Sequence, residues 1–240
     1  MKKILLFFAA LFISSLLHAQ ATYEVGKVYE INGVKGLVYK VSANGRHGMM
    51  MSLKYCPKKM SALVSDKSMF ADARELCKDD ENGVNAMNAI EKYIEEHGTD
   101  WSKFPCFNWA RSLGEGWYIP SKKELMEMVS CLYEGAEFAK NNIMTGKDKM
   151  IKEVKKELKN NNGDPYIYPM LSSTGTSTTN KKGKVSYWRY GLVLMQNQNS
   201  GGFIGSIINI AVDATVDKVQ LTNMIYYNSK VVGTRAIRAF

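Results

Sequence analysis

The chain has 240 residues, 45% of them hydrophobic, with a formal net charge of +9 and four cysteines. That length is enough for a well-buried core in one large domain or two small ones, and one is expected. The positive surplus favours acidic partners. However, its densest stretches, 147–159 and 181–184, lack the interleaved aromatic residues of a nucleic-acid groove, which excludes that class.

The opening MKKILLFFAALFISSLLHAQA has a basic start, a short apolar run and small residues before Ala21. This is the layout of a secretory signal peptide over 1–21, cleaved near Ala21, and it predicts a secreted protein of the periplasm or cell surface. The first cysteine is Cys56, too far on for a lipoprotein anchor, and no later stretch reads as a transmembrane anchor.

From Tyr23 to Leu53 the pattern is a β-meander, with Asn-Gly at 32–33 and 44–45 between alternating apolar residues. A short helix is expected around Phe70 to Cys77, a loop at 79–85, and a helix over 86–98 with Met87, Ile90 and Ile94 on one face. Phe107 to Leu113 suits a helix ended by Gly114, followed by a brief extended piece at Trp117 to Ile119.

The next helix begins at Ser121, a good N-cap, with Glu124 placed three residues on to close a capping box. The Gly114-x-Gly116 spacing could suggest a dinucleotide loop, but the order around it is helix, glycines, extended piece, helix. The dinucleotide fingerprint needs a strand before the glycines and a helix directly after. This stretch therefore reads as scaffold, and no cofactor is predicted. A lysine-rich helix follows over 147–159, with Ile151, Val154 and Leu158 facing inward. From Tyr166 the pattern is β again, with polar loops at 175–184 and 196–202 and further strand-like runs over 218–227 and 232–240.

The four cysteines, Cys56, Cys77, Cys106 and Cys131, allow three pairings. Cys106 and Cys131 fall in helical patterns where a free buried thiol also packs well, so a disulfide and free thiols both stay open. There is no C-x-x-C, and no histidine lies nearby to make a zinc site. Outside the leader only His47, in a hairpin turn, and His97, at a helix end, remain, and neither has the spaced partners of a triad or a metal-ligand pair. The acidic run Asp79, Asp80, Glu81 lacks the register of a calcium loop. No metal and no catalytic residue are predicted.

The segments FNWARSLGEGWYIPSKKEL, LSST, YWRYGLVL and TRAIRAF resemble, in that order, a large family of exported bacterial domains related to the C-terminal domain of a collagen-like adhesin. That family is similar in turn to the C-type-lectin-like fold of formylglycine-generating enzymes and of the variable receptors made by diversity-generating retroelements. The likeness spans about Gly26 to Phe240 and is strongest over 104–125 and 230–240. Here Leu171 stands where a Trp is usual, and Ala236-Ile237 where Pro-Val is usual.

The resemblance implies an α+β, C-type-lectin-like domain over 22–240. Its helices would pack on small twisted antiparallel sheets, its N- and C-terminal β segments would be adjacent, and Trp109, Trp117 and Trp188 would anchor the core. No cysteine follows Cys131, which argues against the oxidase branch. The expected function is a non-enzymatic, metal-independent binding module for an extracellular glycan or protein. Its ligand-binding residues would be Tyr187, Arg189, Gln196, Asn197, Gln198 and Asn199, with Tyr226 and Tyr227 on a neighbouring strand. The alternatives are a structural envelope protein and, less favoured, an enzyme of the formylglycine-generating type. In TRAIRAF, Arg235 and Arg238 cannot both share one face of a regular strand. At least one guanidinium is expected to be partly buried, holding backbone carbonyls or polar groups of the LSST segment.

Overall fold

The Asn-Gly turns do what their chemistry predicts. Asn32 and Gly33 both take positive φ, 53° and 77°, and join β1 (Val28–Ile31) to β2 (Val34–Val41). The second turn, with Gly45 at φ 68°, leads into β3 (Gly48–Ser52). The last strand, β9 (Ile237–Ala239), pairs antiparallel with β3, giving a first sheet of order β1-β2-β3-β9. The computed structural model describes residues 22–57, 60, 62–132, 137–138, 143–147, 149–165, 170–196, 202–211 and 233–240. The leader, the 218–227 run with Tyr226 and Tyr227, and Asn197, Gln198 and Asn199 lie outside them.

This first sheet is buried on both faces, and the period of two sorts its residues between two cores. Leu37, Tyr39, Met51 and Ile237 point into one core, packed by helices α4 (Lys122–Leu132) and α5 (Lys149–Asn160) through Leu125, Met128, Val129, Leu132, Val154 and Leu158. Val38, Met50 and Ala236 point into the other. There they meet α1 (Phe70–Leu76), α2 (Gly83–His97) and α3 (Pro105–Ser112) through Ala73, Ile90, Phe107, Trp109 and Ala110, together with Trp117 and Ile119. Trp109 and Trp117 are thus core residues.

A second antiparallel sheet has the order β4-β5-β8-β7-β6, from β4 (Glu137–Phe138), β5 (Ile143–Lys147), β6 (Met170–Thr179), β7 (Val185–Gln196) and β8 (Gly202–Ala211). The architecture is therefore mixed α+β, with five α-helices and two small antiparallel sheets among the described residues. No helix among them is long and apolar enough to cross a membrane.

Three local expectations need correction. Residues 175–179, expected as loop, form the end of β6 opposite β7, and only 180–184 turn. Strands β4 and β5 had no counterpart in the sequence reading. Helix α2 begins at Gly83, three residues before the expected start, because Asn82 caps it by accepting the Val84 N–H at 2.9 Å.

Strand β6 bulges between Leu171 and Gly175, and there the second sheet is tied to the segments around Asp79 and Pro120. The freed Ser172 to Thr174 backbone bonds elsewhere. Ser173 N–H donates to the Pro120 carbonyl at 2.7 Å, and the Thr174 hydroxyl accepts from Lys122 N–H at 2.8 Å and donates to the Asp79 carbonyl at 3.1 Å. All four cysteines are free, with Cys56, Cys77 and Cys106 buried in the second core.

Candidate functional site

The Ser121 to Glu124 pair forms the predicted reciprocal cap. Ser121 Oγ accepts from Glu124 N–H at 3.2 Å, and Glu124 Oε2 accepts from Ser121 N–H at 2.9 Å. Glu124 does more than a capping box requires. Its Oε2 also accepts the Gly83 N–H at 2.8 Å, and its Oε1 accepts from the Tyr118 hydroxyl at 2.7 Å. Burial, with the Glu124 carboxylate beside it, pushes the Tyr118 phenol well above its usual range. One carboxylate therefore ties together the start of α2, the 118–121 segment and the start of α4. A Cβ on Gly83 would collide with the Ile119 carbonyl oxygen, so only glycine lets α2 start so close.

The segment fixed in this way forms the floor of a cleft of about 860 Å³, within the range of small-molecule sites. Gly114, Glu115, Gly116, Trp117 and Tyr118 make the floor, while α2 contributes Val84, Met87, Asn88 and Glu91 to one wall. The other wall is Asn108, Arg111 and Ser112 of α3, with Trp101 from the short 3-10 turn Trp101–Lys103.

The Arg111 guanidinium carbon sits 4.1 Å from the centre of the Trp101 ring, a cation–π pair that presents charge and flat carbon together. Gly114 and Gly116 take φ of 122° and 79°, which a side-chain-bearing residue resists. The floor is also pinned from behind, because Tyr118 N–H donates to the Ile237 carbonyl at 3.0 Å and Ile237 N–H donates back at 2.8 Å. Trp117 is 3% exposed, and its Nε1–H has no hydrogen-bond partner.

The residues expected to bind ligand are placed differently. Arg189 is no surface group: it is 1% exposed, and its Nε and one terminal nitrogen donate to the Ser172 carbonyl at 2.9 and 2.5 Å. That nitrogen also reaches the Thr234 hydroxyl at 3.3 Å, and the guanidinium meets the Cys106 thiol. Burial holds the guanidinium below its usual range and lifts the Cys106 thiol to about 11. Tyr187, two residues before it in β7, is half-buried and packs edge-on to Phe70 at 6.3 Å. Both residues serve the interior, because positions two apart share a strand face.

Trp188 stands opposite Thr176 and Ala211 in the ladder, and Gln196 opposite Phe203. The structure thus brings no binding surface together from Tyr187 and Arg189, and Asn197 to Asn199 lie outside its described residues.

Arg235 is the other buried guanidinium. It is 1% exposed and donates to the Ser52 carbonyl at 2.6 Å and the Asp164 carbonyl at 2.7 Å, with its carbon 4.1 Å from the Tyr55 ring centre. Arg235 is thus the buried guanidinium expected of the pair, but it holds the Ser52 and Asp164 carbonyls, and the Ser172 carbonyl of LSST is held by Arg189 instead. Arg238 is half-buried behind Gly116, where its Nε would lie 3.5 Å from an added Cβ.

Sequence reasoning missed the cleft as a site. The available signal was the polar, aromatic makeup of Trp101, Asn108, Arg111 and Glu115 close to Trp117. Among the described residues, no group of three or more His, Cys, Asp or Glu could hold a metal ion. Compared with protein-family models, curated proteins and solved structures, the chain matches none of them.

Proposed function

We propose that the chain is an exported, non-catalytic binding module of C-type-lectin-like fold that takes an extracellular glycan or protein without a metal ion. The observation that carries this reading is the cleft between α2 and α3, with amide, carboxylate, guanidinium and indole groups converging on a rigid glycine floor. Its titratable groups do not form the linked nucleophile, base and orienting group that catalysis needs. Glu91, Arg111 and Glu115 are exposed, and Arg111 is engaged with Trp101. His97 lies at the far end of α2, stacked on Tyr93 at 4.0 Å. The leader-like opening supports export, and the motif order supports the finer fold assignment.

The test is a glycan array and a pull-down with the mature chain, each repeated with Asn88→Trp. This exposed substitution fills the cleft without touching either core. Binding should be present in the wild type and lost in the variant at unchanged melting temperature. Binding that survives the variant would place the site elsewhere, and no binding in either assay would favour a purely structural envelope role.

A further inference from the structure

We infer that the tip of the β6–β7 hairpin is a contact surface for anionic lipid headgroups, with Lys181, Lys182 and Lys184 over the headgroups and Val185 entering the interface.

The first observation is the shape and build of the tip. Thr178 to Val185 are all exposed, the longest unbroken run of exposed residues among those described, and a Cβ added to Gly183 would meet nothing within 4 Å. The turn is nevertheless well defined. Asn180 Oδ1 accepts from Lys182 N–H at 2.9 Å and Lys184 N–H at 3.0 Å, while Asn180 N–H donates to the Lys184 carbonyl at 3.0 Å. Gly183, at φ 77°, donates its N–H to the Asn180 carbonyl at 2.9 Å. The side chains of three lysines therefore project from a fixed backbone.

The second observation is charge without local compensation. No Asp or Glu occurs between Asp164 and Asp213, so the hairpin carries no carboxylate of its own. Lysines elsewhere on the surface face one, as Lys40 faces Glu127, Lys92 faces Glu96 and Lys123 faces Glu81. Among the described residues, Lys181, Lys182 and Lys184 have no such partner. At the base of the hairpin, where Tyr187 packs on Phe70, the carboxylates of α1 are engaged: Asp72 accepts from the Tyr93 hydroxyl at 3.1 Å, and Glu75 pairs with Arg74 and Lys78. Helix α5 is also rich in lysine, but Glu153 and Glu157 are interleaved there.

The form of the tip selects the partner. A folded protein needs about 800 Å² of buried surface on each side, more than a single hairpin turn presents, and a bound glycan needs a concave site. A plane of headgroups meets a convex tip with many charges at once, and three lysines held within one Debye length of it act together. Val185, 42% exposed beside Lys184, adds an apolar side chain that the interface can cover.

The experiment sediments the mature chain with vesicles of phosphatidylcholine alone and of phosphatidylcholine and phosphatidylglycerol in equal parts. Binding should require the anionic lipid and fade as salt is raised. Lys181→Gln, Lys182→Gln and Lys184→Gln should each weaken it about fivefold, and the triple variant about a hundredfold, at unchanged melting temperature. Removing the same charge from α5 with Lys152→Gln, Lys156→Gln and Lys159→Gln should leave most of the binding, as should Asn88→Trp in the cleft. Val185→Ser should weaken vesicle binding severalfold. Equal binding to both vesicles would overturn the inference, and so would an equal loss from the two triple variants, which would assign the effect to net charge. Tighter binding to soluble dextran sulfate than to vesicles, with Val185→Ser without effect, would overturn the lipid surface in favour of an anionic polysaccharide. None of these outcomes alters the reading of the cleft.

Discussion

Glu124 and Trp117 stand a few residues apart in one stretch, yet their polar groups meet opposite fates. The Glu124 carboxylate accepts from Gly83, Ser121 and Tyr118 and has its capacity used by the protein. The more deeply enclosed Trp117 Nε1–H has no partner, and neither have the Tyr39 and Ser173 hydroxyls. The same contrast separates the two buried guanidiniums, which are taken up by backbone carbonyls, from the exposed amides and carboxylates around the cleft. Most polar groups enclosed by the fold are consumed by it, while those around the cleft stay open to solvent.

The hardest test of that contrast is Arg235→Leu. It strips the Ser52 and Asp164 carbonyls of their donor and removes the cation over Tyr55, so it should cost about 3 kcal/mol or more in denaturant unfolding. Deleting 234–240 should unfold the chain, and a truncated protein with a normal melting temperature would break the scaffold side of the comparison.

Glu124→Ala comes next, at about 2–3 kcal/mol, because three donors lose one charged acceptor together. It should also weaken ligand binding by loosening the cleft floor, a joint loss that calorimetry and binding assays can follow in parallel. Ser121→Ala removes only the cap to Glu124 N–H, and a stability loss of about 1 kcal/mol is expected with ligand affinity unchanged. The smallest effect belongs to Asn88→Ala on the open side, where thermal unfolding should move by less than about 0.5 kcal/mol. A large destabilisation there would show that Asn88 belongs to the scaffold after all.

Features set by near neighbours were legible in the sequence. The turn at Asn32-Gly33, the Ser121 cap and the inward Val154 and Leu158 of α5 each follow from a handful of adjacent residues. Features set at long range were not. Arg189, beside polar loops, reads as a binding residue, and nothing local reveals the Ser172 carbonyl and the Thr234 hydroxyl that offset the cost of burying its guanidinium. The Ser and Thr residues of 175–179 were read as loop for their polarity, while their strand state depends on the partner β7. The cleft needs α2, α3 and the glycine segment brought together by Glu124, and that convergence exists only after folding.

Strand β9 closes the first sheet against β3, and its neighbour Arg235 reaches back to Ser52, so the earliest part of the chain is completed by the latest. On the ribosome, residues 28–52 can form a hairpin pair but cannot gain that third contact until residues 235–239 have emerged. Completion of this sheet, and with it of both cores that share it, therefore depends on a contact of very high sequence separation, the kind whose loop-closure cost slows folding.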